Sequence, residues 1–151
     1  MSTIAVGLLF VLLALAVGHD IRFRRIPNWL NFSGMAAGLA VSFALGGTAG
    51  LKESVLGWGF IAAVAGFFWS AGMIGGGDHK LLMVVGSFIG LTRAIPTLAA
   101  IAIFGGVQAL GWVLYLRARR PTTSFRTLLR TTRIAYSLAI AGGTIYTILI
   151  Q

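Results

Sequence analysis

The sequence predicts an all-α, polytopic membrane protein with six transmembrane helices and both termini outside. Composition is the first reason. The 151 residues are 58% hydrophobic and only 10% charged, with a mean hydropathy of +0.93, whereas an average soluble domain is about 25% charged. The second is segmentation: six apolar stretches approach the ~20 residues that a spanning helix needs. The third is a one-sided distribution of cationic residues. A soluble enzyme with a separate catalytic domain is thereby excluded. The chain has no cysteine, which excludes disulfides, thiolate metal sites and thiol nucleophiles.

The first stretch runs from about Ser2 to Gly18. Ala14-Leu15-Ala16 resembles a signal cleavage site, but no Lys or Arg precedes the stretch, so the cationic start of a signal peptide is missing. An uncleaved first helix is expected, with Arg22, Arg24 and Arg25 holding its far end in the cytoplasm. The second stretch runs from about Pro27 to Leu45; proline suits a first helical turn, and Ile26 before it is pushed towards extended geometry. The third covers about Val55 to Ile74 and the fourth about Asp78 to Thr92. The fifth runs from about Ala94 to Leu116 and the sixth from about Ile134 to Ile150. Nothing between them reads as a soluble domain or linker, so residues 1–151 are expected to form one membrane domain.

Twelve Lys and Arg stand against three acids, for a formal net charge of +9. In a soluble chain that excess would suggest nucleic acid; in a membrane chain it sets topology and meets anionic lipid headgroups. With the N-terminus outside, the inner loops hold Arg22, Arg24, Arg25, Lys80, Arg117, Arg119, Arg120, Arg126, Arg130 and Arg133. Only Lys52 and Arg93 remain outside. The same assignment puts Asp20 and Asp78 on the cytoplasmic side and Glu53 on the other. The 14 residues between Asp78 and Arg93 make about 21 Å of helix, short of a ~30 Å hydrocarbon core. Asp78 is therefore expected several ångströms below the inner surface, where an acid is costly and usually functional.

The two aspartates sit in different contexts. Asp20 comes at the C-terminal end of the first helix, ahead of Ile26-Pro27-Asn28, where the helix dipole disfavours an anion. Asp78 follows Gly75-Gly76-Gly77, expected to break the helix, and is placed as an N-cap, where free N–H groups favour a carboxylate. Asp78 is thus expected to be the more readily ionised partner and Asp20 the more readily protonated one. Such a pair can activate a water and polarise a peptide carbonyl, titrating as a unit. Plainer roles compete: Asp78 as a helix cap, and Asp20 as an ion-pair partner of Arg22 or Arg24. His19-Asp20 and Asp78-His79 also offer two imidazoles and two carboxylates to a metal, but neighbours on a helix point about 100° apart, so no metal site is expected.

These motifs resemble those of the type IV prepilin peptidase family, the GxGD intramembrane aspartic proteases. Asp20 with Ile26-Pro27-Asn28 is similar to the family's first catalytic segment, and Gly75-Gly76-Gly77-Asp78 followed by Lys80-Leu81-Leu82 to its GxGD segment. Ile134-Ala135-Tyr136-Ser137-Leu138-Ala139-Ile140 is similar to the last-helix segment, which usually reads Pro-Tyr-Gly, so Ala135 and Ser137 depart from it. His79 stands where an apolar residue is more usual. The short form, without an N-terminal cysteine-containing methylation segment, is most similar to the Tad/Flp-type enzymes; its lack argues against zinc and against N-methyltransferase activity.

The resemblance implies an aspartic endopeptidase without a cofactor, with Asp20 and Asp78 as the catalytic pair. It implies cleavage of prepilin leader peptides at the cytoplasmic face of a prokaryotic inner membrane. The substrate is expected beside Gly75, Gly76 and Gly77, with Lys80 in contact with it or tuning the pair; Lys80 as a topology anchor is the alternative. Ile26, Pro27 and Asn28 support the first motif. Expected partners are the prepilin, membrane lipid and pilus or secretion assembly machinery, with no nucleic acid. A small proton-coupled transporter using the same acids, or a non-catalytic assembly protein, are the competing classes.

Much else reads as packing. The 21 glycines are about twice average usage, and Gly34-xxx-Gly38 and Gly86-xxx-Gly90 place small residues one turn apart for close helix contact. Trp29, Trp58, Trp69 and Trp112 suit interface anchoring or helix packing.

Overall fold

The computed structural model describes residues 2–119 and 136–150, which form four α-helices and, among the described residues, no strand. These are α1 (Thr3–Phe23), α2 (Asn28–Ser70), α3 (Gly76–Arg119) and α4 (Tyr136–Ile150). Arg120, Arg126, Arg130 and Arg133 of the expected inner loop, and Ile134 and Ala135 of the last motif, lie outside the described residues. Three of the helices are long and apolar enough to cross a membrane, and α4 is a shorter apolar helix of 15 residues. Large apolar side chains such as Ile4, Val11, Ile95, Ile103, Val107 and Leu149 point outward, as they do where lipid is the solvent. This is the surface of a membrane protein.

Four helices replace the six expected because the second and third apolar stretches join in α2 and the fourth and fifth in α3. Each long helix is nevertheless bent back on itself. Non-helical backbone at Gly47 (φ 58°, ψ −146°) divides α2, and Gly90 (φ 73°, ψ 178°) divides α3. Both values lie where an L side chain is strained and glycine is not. Contacts show how far the chain turns. Ile74 and Gly106 line one crevice, as do Leu82 and Leu98, yet a straight helix would hold residues 74 and 106 about 48 Å apart. The two arms of α3 are therefore antiparallel. In α2, Gly34 and Gly38 lie against Val84 and Ser87, whereas Gly57 lies against Gly86 and Gly66 against His79. Its first arm thus runs parallel to the first arm of α3 and its second arm antiparallel.

The turn in α3 is closed by side chains from α2. Leu91 N–H, which in a continuous helix would return to Ser87 O, donates to Glu53 Oε2 at 2.8 Å, and Thr92 Oγ1 donates to Glu53 Oε1 at 2.5 Å. The released Ser87 carbonyl accepts from the Ser54 hydroxyl and, at 3.4 Å, from the Ser42 hydroxyl. Glu53 is thus a helix cap supplied from a neighbouring helix. Glu53→Ala is expected to lower stability by about 1–2 kcal/mol, the range of a lost cap; thermal unfolding in detergent checks it.

Leu9, Leu13, Ile61, Leu81, Val85 and Ile140 form the centre of the core. Around it the helices close on glycine. A Cβ added to Gly86 would lie 2.8 Å from Gly57 O, and one added to Gly34 would lie 2.9 Å from Val84 Cγ1. Both small-residue pairs read from the sequence therefore sit in the α2–α3 contact. One of them, Gly90, also makes the turn.

The bundle has two distinct ends. Ser2, Gly46, Gly50, Glu53, Gly90 and Arg93 line a cavity of about 360 Å³ at one of them. Asp20, Ile26, Trp69, Gly77 and Ser137 gather at the other. Lys52 and Arg93 belong to the first end. Arg22, Arg24, Arg25 and Lys80 belong to the second, as do Arg117 and Arg119 at the close of α3.

Candidate active site

Asp20 lies in the last turn of α1, half-buried. The helix ends because Arg24 adopts a left-handed conformation (φ 51°, ψ 34°) and returns its N–H to Asp20 O at 2.8 Å. The connection is short: Pro27 (φ −69°, ψ 141°) stands just before α2, one position outside the helix rather than in its first turn. Ile26 is buried and meets the second motif directly, since a Cβ on Gly77 would lie 3.5 Å from Ile26 Cβ. Lys80 Nζ donates to Asn28 Oδ1 at 2.8 Å and lies 5.6 Å from the centre of the Phe32 ring. Two segments some 50 residues apart in sequence are thus docked backbone to side chain and side chain to side chain.

Asp78 is not an N-cap. α3 begins at Gly76, so Asp78 is the third helical residue, and its carboxylate reaches back to accept the N–H of Gly75. That is the reciprocal half of a capping box, with glycine at the capping position, so that no side-chain oxygen is available there. The tripeptide also does less breaking than expected. Gly76 and Gly77 are already helical, and the chain turns in Ala71–Gly75, where Gly72 has φ +72°. Glycine at 75 is needed for closeness, since a Cβ there would lie 3.0 Å from Asp78 Oδ2. Gly76 faces the Trp69 indole and Gly77 faces Ile26; Gly75 is the exposed member of the three.

Asp20 and Asp78 come close enough for their charges to act on one another. The partner of Asp20 is neither Arg22 nor Arg24: Ser137 Oγ, fully buried on α4, donates to Asp20 Oδ2 at 2.5 Å. Among the described residues each carboxylate thus has one donor, the Gly75 N–H for Asp78 and the Ser137 hydroxyl for Asp20. Tyr136, next to Ser137, is also within electrostatic reach of Asp78. It borders a crevice of about 340 Å³ lined by Ile74, Leu82, Leu98, Ile101, Gly105 and neighbours. In the sequence Tyr136 and Ser137 stand only as members of a motif; Ser137 approaches Asp20 across 117 residues of chain and Tyr136 approaches Asp78 across 58, and neither approach leaves a local pattern.

The histidines point elsewhere. His79 stacks on Trp69 with ring centres 5.5 Å apart and planes 2° apart, and its Nε2 lies 3.4 Å from Ala62 O on α2. His19 packs along α1 on Phe23. Among the described residues, no group of three or more His, Asp or Glu side chains converges. Glu53, the third acid, is at the opposite end of the bundle.

The site therefore offers two carboxylates, exposed glycine backbone and an apolar crevice at one end of a membrane bundle. Residues 7–110 match the family model of the type IV leader peptidase family. The chain belongs to the type IV leader peptidase family. The match takes in Asp20, Ile26-Pro27-Asn28, Gly75-Gly76-Gly77-Asp78 and Lys80, and ends before α4. No curated protein and no solved structure matches the chain. Membership makes it a membrane peptidase of the class that removes prepilin leader peptides.

The link from Lys80 to Asn28 separates two roles for that lysine. It is exposed to solvent, and an exposed hydrogen bond contributes about 1 kcal/mol. Lys80→Ala is therefore expected to slow cleavage less than about tenfold, because the Ile26–Gly77 contact survives; steady-state kinetics on a prepilin substrate measure it.

Proposed function

We propose that this leader peptidase is an aspartic endopeptidase in which Asp20 and Asp78 activate a water against the scissile carbonyl of a Tad/Flp-like prepilin. The observation that carries the reading is the packing of the two aspartate-bearing segments against one another at one end of the bundle, through Ile26 on Gly77 and Asn28 on Lys80. A carboxylate pair holding one proton between them supplies both halves of the chemistry: the base takes a proton from water while the acid donates to the carbonyl oxygen. No covalent intermediate is needed.

Gly75 is exposed beside Asp78, where an extended peptide can approach the carboxylate without meeting a side chain. Gly76, Gly77 and Lys80 hold that strip in place against Trp69, Ile26 and Asn28, so Ile26, Pro27 and Asn28 act as its support. The crevice beside Tyr136 is apolar and matches an apolar flank of a membrane-borne precursor. The reaction requires no metal or cofactor in this reading.

The same reading places the whole chain as one membrane domain of six crossings with both termini outside. The folding back of α2 at Gly47 and of α3 at Gly90 supports it, since each supplies two antiparallel arms. The first arm of α3, from Gly76 to Ile89, is about 21 Å long by helical rise, less than a bilayer core, which favours an Asp78 set below the surface. The cationic end carries the aspartates, and a cationic end is retained in the cytoplasm. The active site thus faces the cytoplasm at the inner membrane, among anionic lipid and pilus or secretion machinery. Purified protein reconstituted in vesicles with a Tad/Flp-type prepilin tests the reading: a single cut after the leader, identified by the mass of both products, is expected. An intact prepilin together with proton flux through the vesicles would replace the peptidase by a transporter.

A further inference from the structure

We propose that Ser137 is a positioning residue, whose hydroxyl fixes the Asp20 carboxylate in its orientation towards Asp78; this rests on the aspartic-pair reading above. Asp20 is in the last turn of α1, immediately ahead of exposed residues from Ile21 to Arg25. A half-buried aspartate there can swing about two side-chain bonds, and its direction is decided by whatever it bonds to. Ser137 is the opposite kind of residue. It is fully buried, and Ala139 and Ile140 beside it on α4 are buried in the core. Its Oγ donates to Asp20 Oδ2 at 2.5 Å across 117 residues of sequence.

The neighbour in sequence strengthens the assignment. Tyr136 lines the apolar crevice and feels the charge of Asp78, while Ser137 holds Asp20. One turn of α4 thus touches the surroundings of both acids. Oδ2 engaged by Ser137 leaves Oδ1 for the proton traffic of the reaction, and a hydrogen bond to a carboxylate is among the stronger kinds.

The chain has only two aspartates, Asp20 and Asp78, so protein labelled with [4-13C]aspartate shows just these two carboxyl groups in the infrared. Ser137→Ala is expected to move one labelled carboxyl band, and Asp20→Asn is expected to abolish that difference. In cleavage assays Ser137→Ala and Ser137→Gly are expected to lose about 10- to 100-fold in kcat with KM within about twofold. Ser137→Thr, which keeps the hydroxyl, is expected within about threefold of the parent, and all three variants should melt at nearly the parental temperature. Unchanged carboxyl bands in Ser137→Ala, or equal losses in Ser137→Ala and Ser137→Thr, overturn the proposal. Failure of the underlying reading looks different: Asp20→Asn then cleaves normally, whatever the infrared shows at Ser137.

Discussion

Asp20→Asn and Asp78→Asn, introduced singly, are each expected to slow prepilin cleavage by about 10²- to 10⁴-fold, the usual contribution of a positioned acid or base. The amide keeps the size and most of the hydrogen-bonding capacity of the carboxylate but neither accepts a proton from water nor supplies one to a carbonyl. At position 20 it still meets Ser137, and at position 78 it still meets the Gly75 N–H, so the local fold is preserved. The loss should therefore appear in kcat while substrate binding and membrane insertion stay near the parental level. Glu53→Gln provides the contrast, since that acid only caps the second arm of α3 at the far end of the bundle. Co-expression with a prepilin, followed by gel separation of precursor and mature forms, reads all three.

A large effect on stability is expected at Gly86. A valine there would place its Cβ 2.8 Å from Gly57 O and 3.1 Å from Trp58 Cα. Backbone cannot rotate away as a flexible side chain can, so α2 and α3 must separate. Overpacking a close contact costs about 1–3 kcal/mol, and here the displaced elements also carry the Ser54–Ser87 and Glu53–Leu91 bonds that close the turn at Gly90. Gly86→Val should melt several degrees lower in detergent than the parent. Gly59→Val on α2, with open space around its Cβ, should melt unchanged. Equal melting temperatures for Gly86→Val and the parent would mean that the contact between α2 and α3 is looser than described.

Much of this was legible in the sequence because the chain is so sparing with charge. With three acids available, two of them in glycine- or proline-marked motifs, the candidate pair could be named from spacing and residue type. The six apolar stretches were visible for a similar reason: glycine, proline and cations punctuate them. What escaped were features made through space. Gly47 and Gly90 do not differ locally from other glycines of the chain, yet among the described residues these two turn a long helix back on itself. Glu53 reads as a lone exposed acid until Leu91, 38 residues later, is seen to donate to it. Asp78 stands three positions further into its helix than the glycine triplet suggests, because such a triplet does not reveal which of its members already holds helical backbone. Ser137 looked like a departure from a motif, and its bond to Asp20 depends on how α4 lies against α1.

That Asp20 and Asp78 act as one unit is the centre of the account, and a double-variant cycle tests it most directly. Purified parent, Asp20→Asn, Asp78→Asn and the protein carrying both changes would be compared on one prepilin in lipid vesicles. Groups that share a single chemical step are strongly non-additive. The prediction is that the doubly changed protein is no slower than either single variant. Losses that multiply, or a single variant that cleaves at the parental rate, would contradict it.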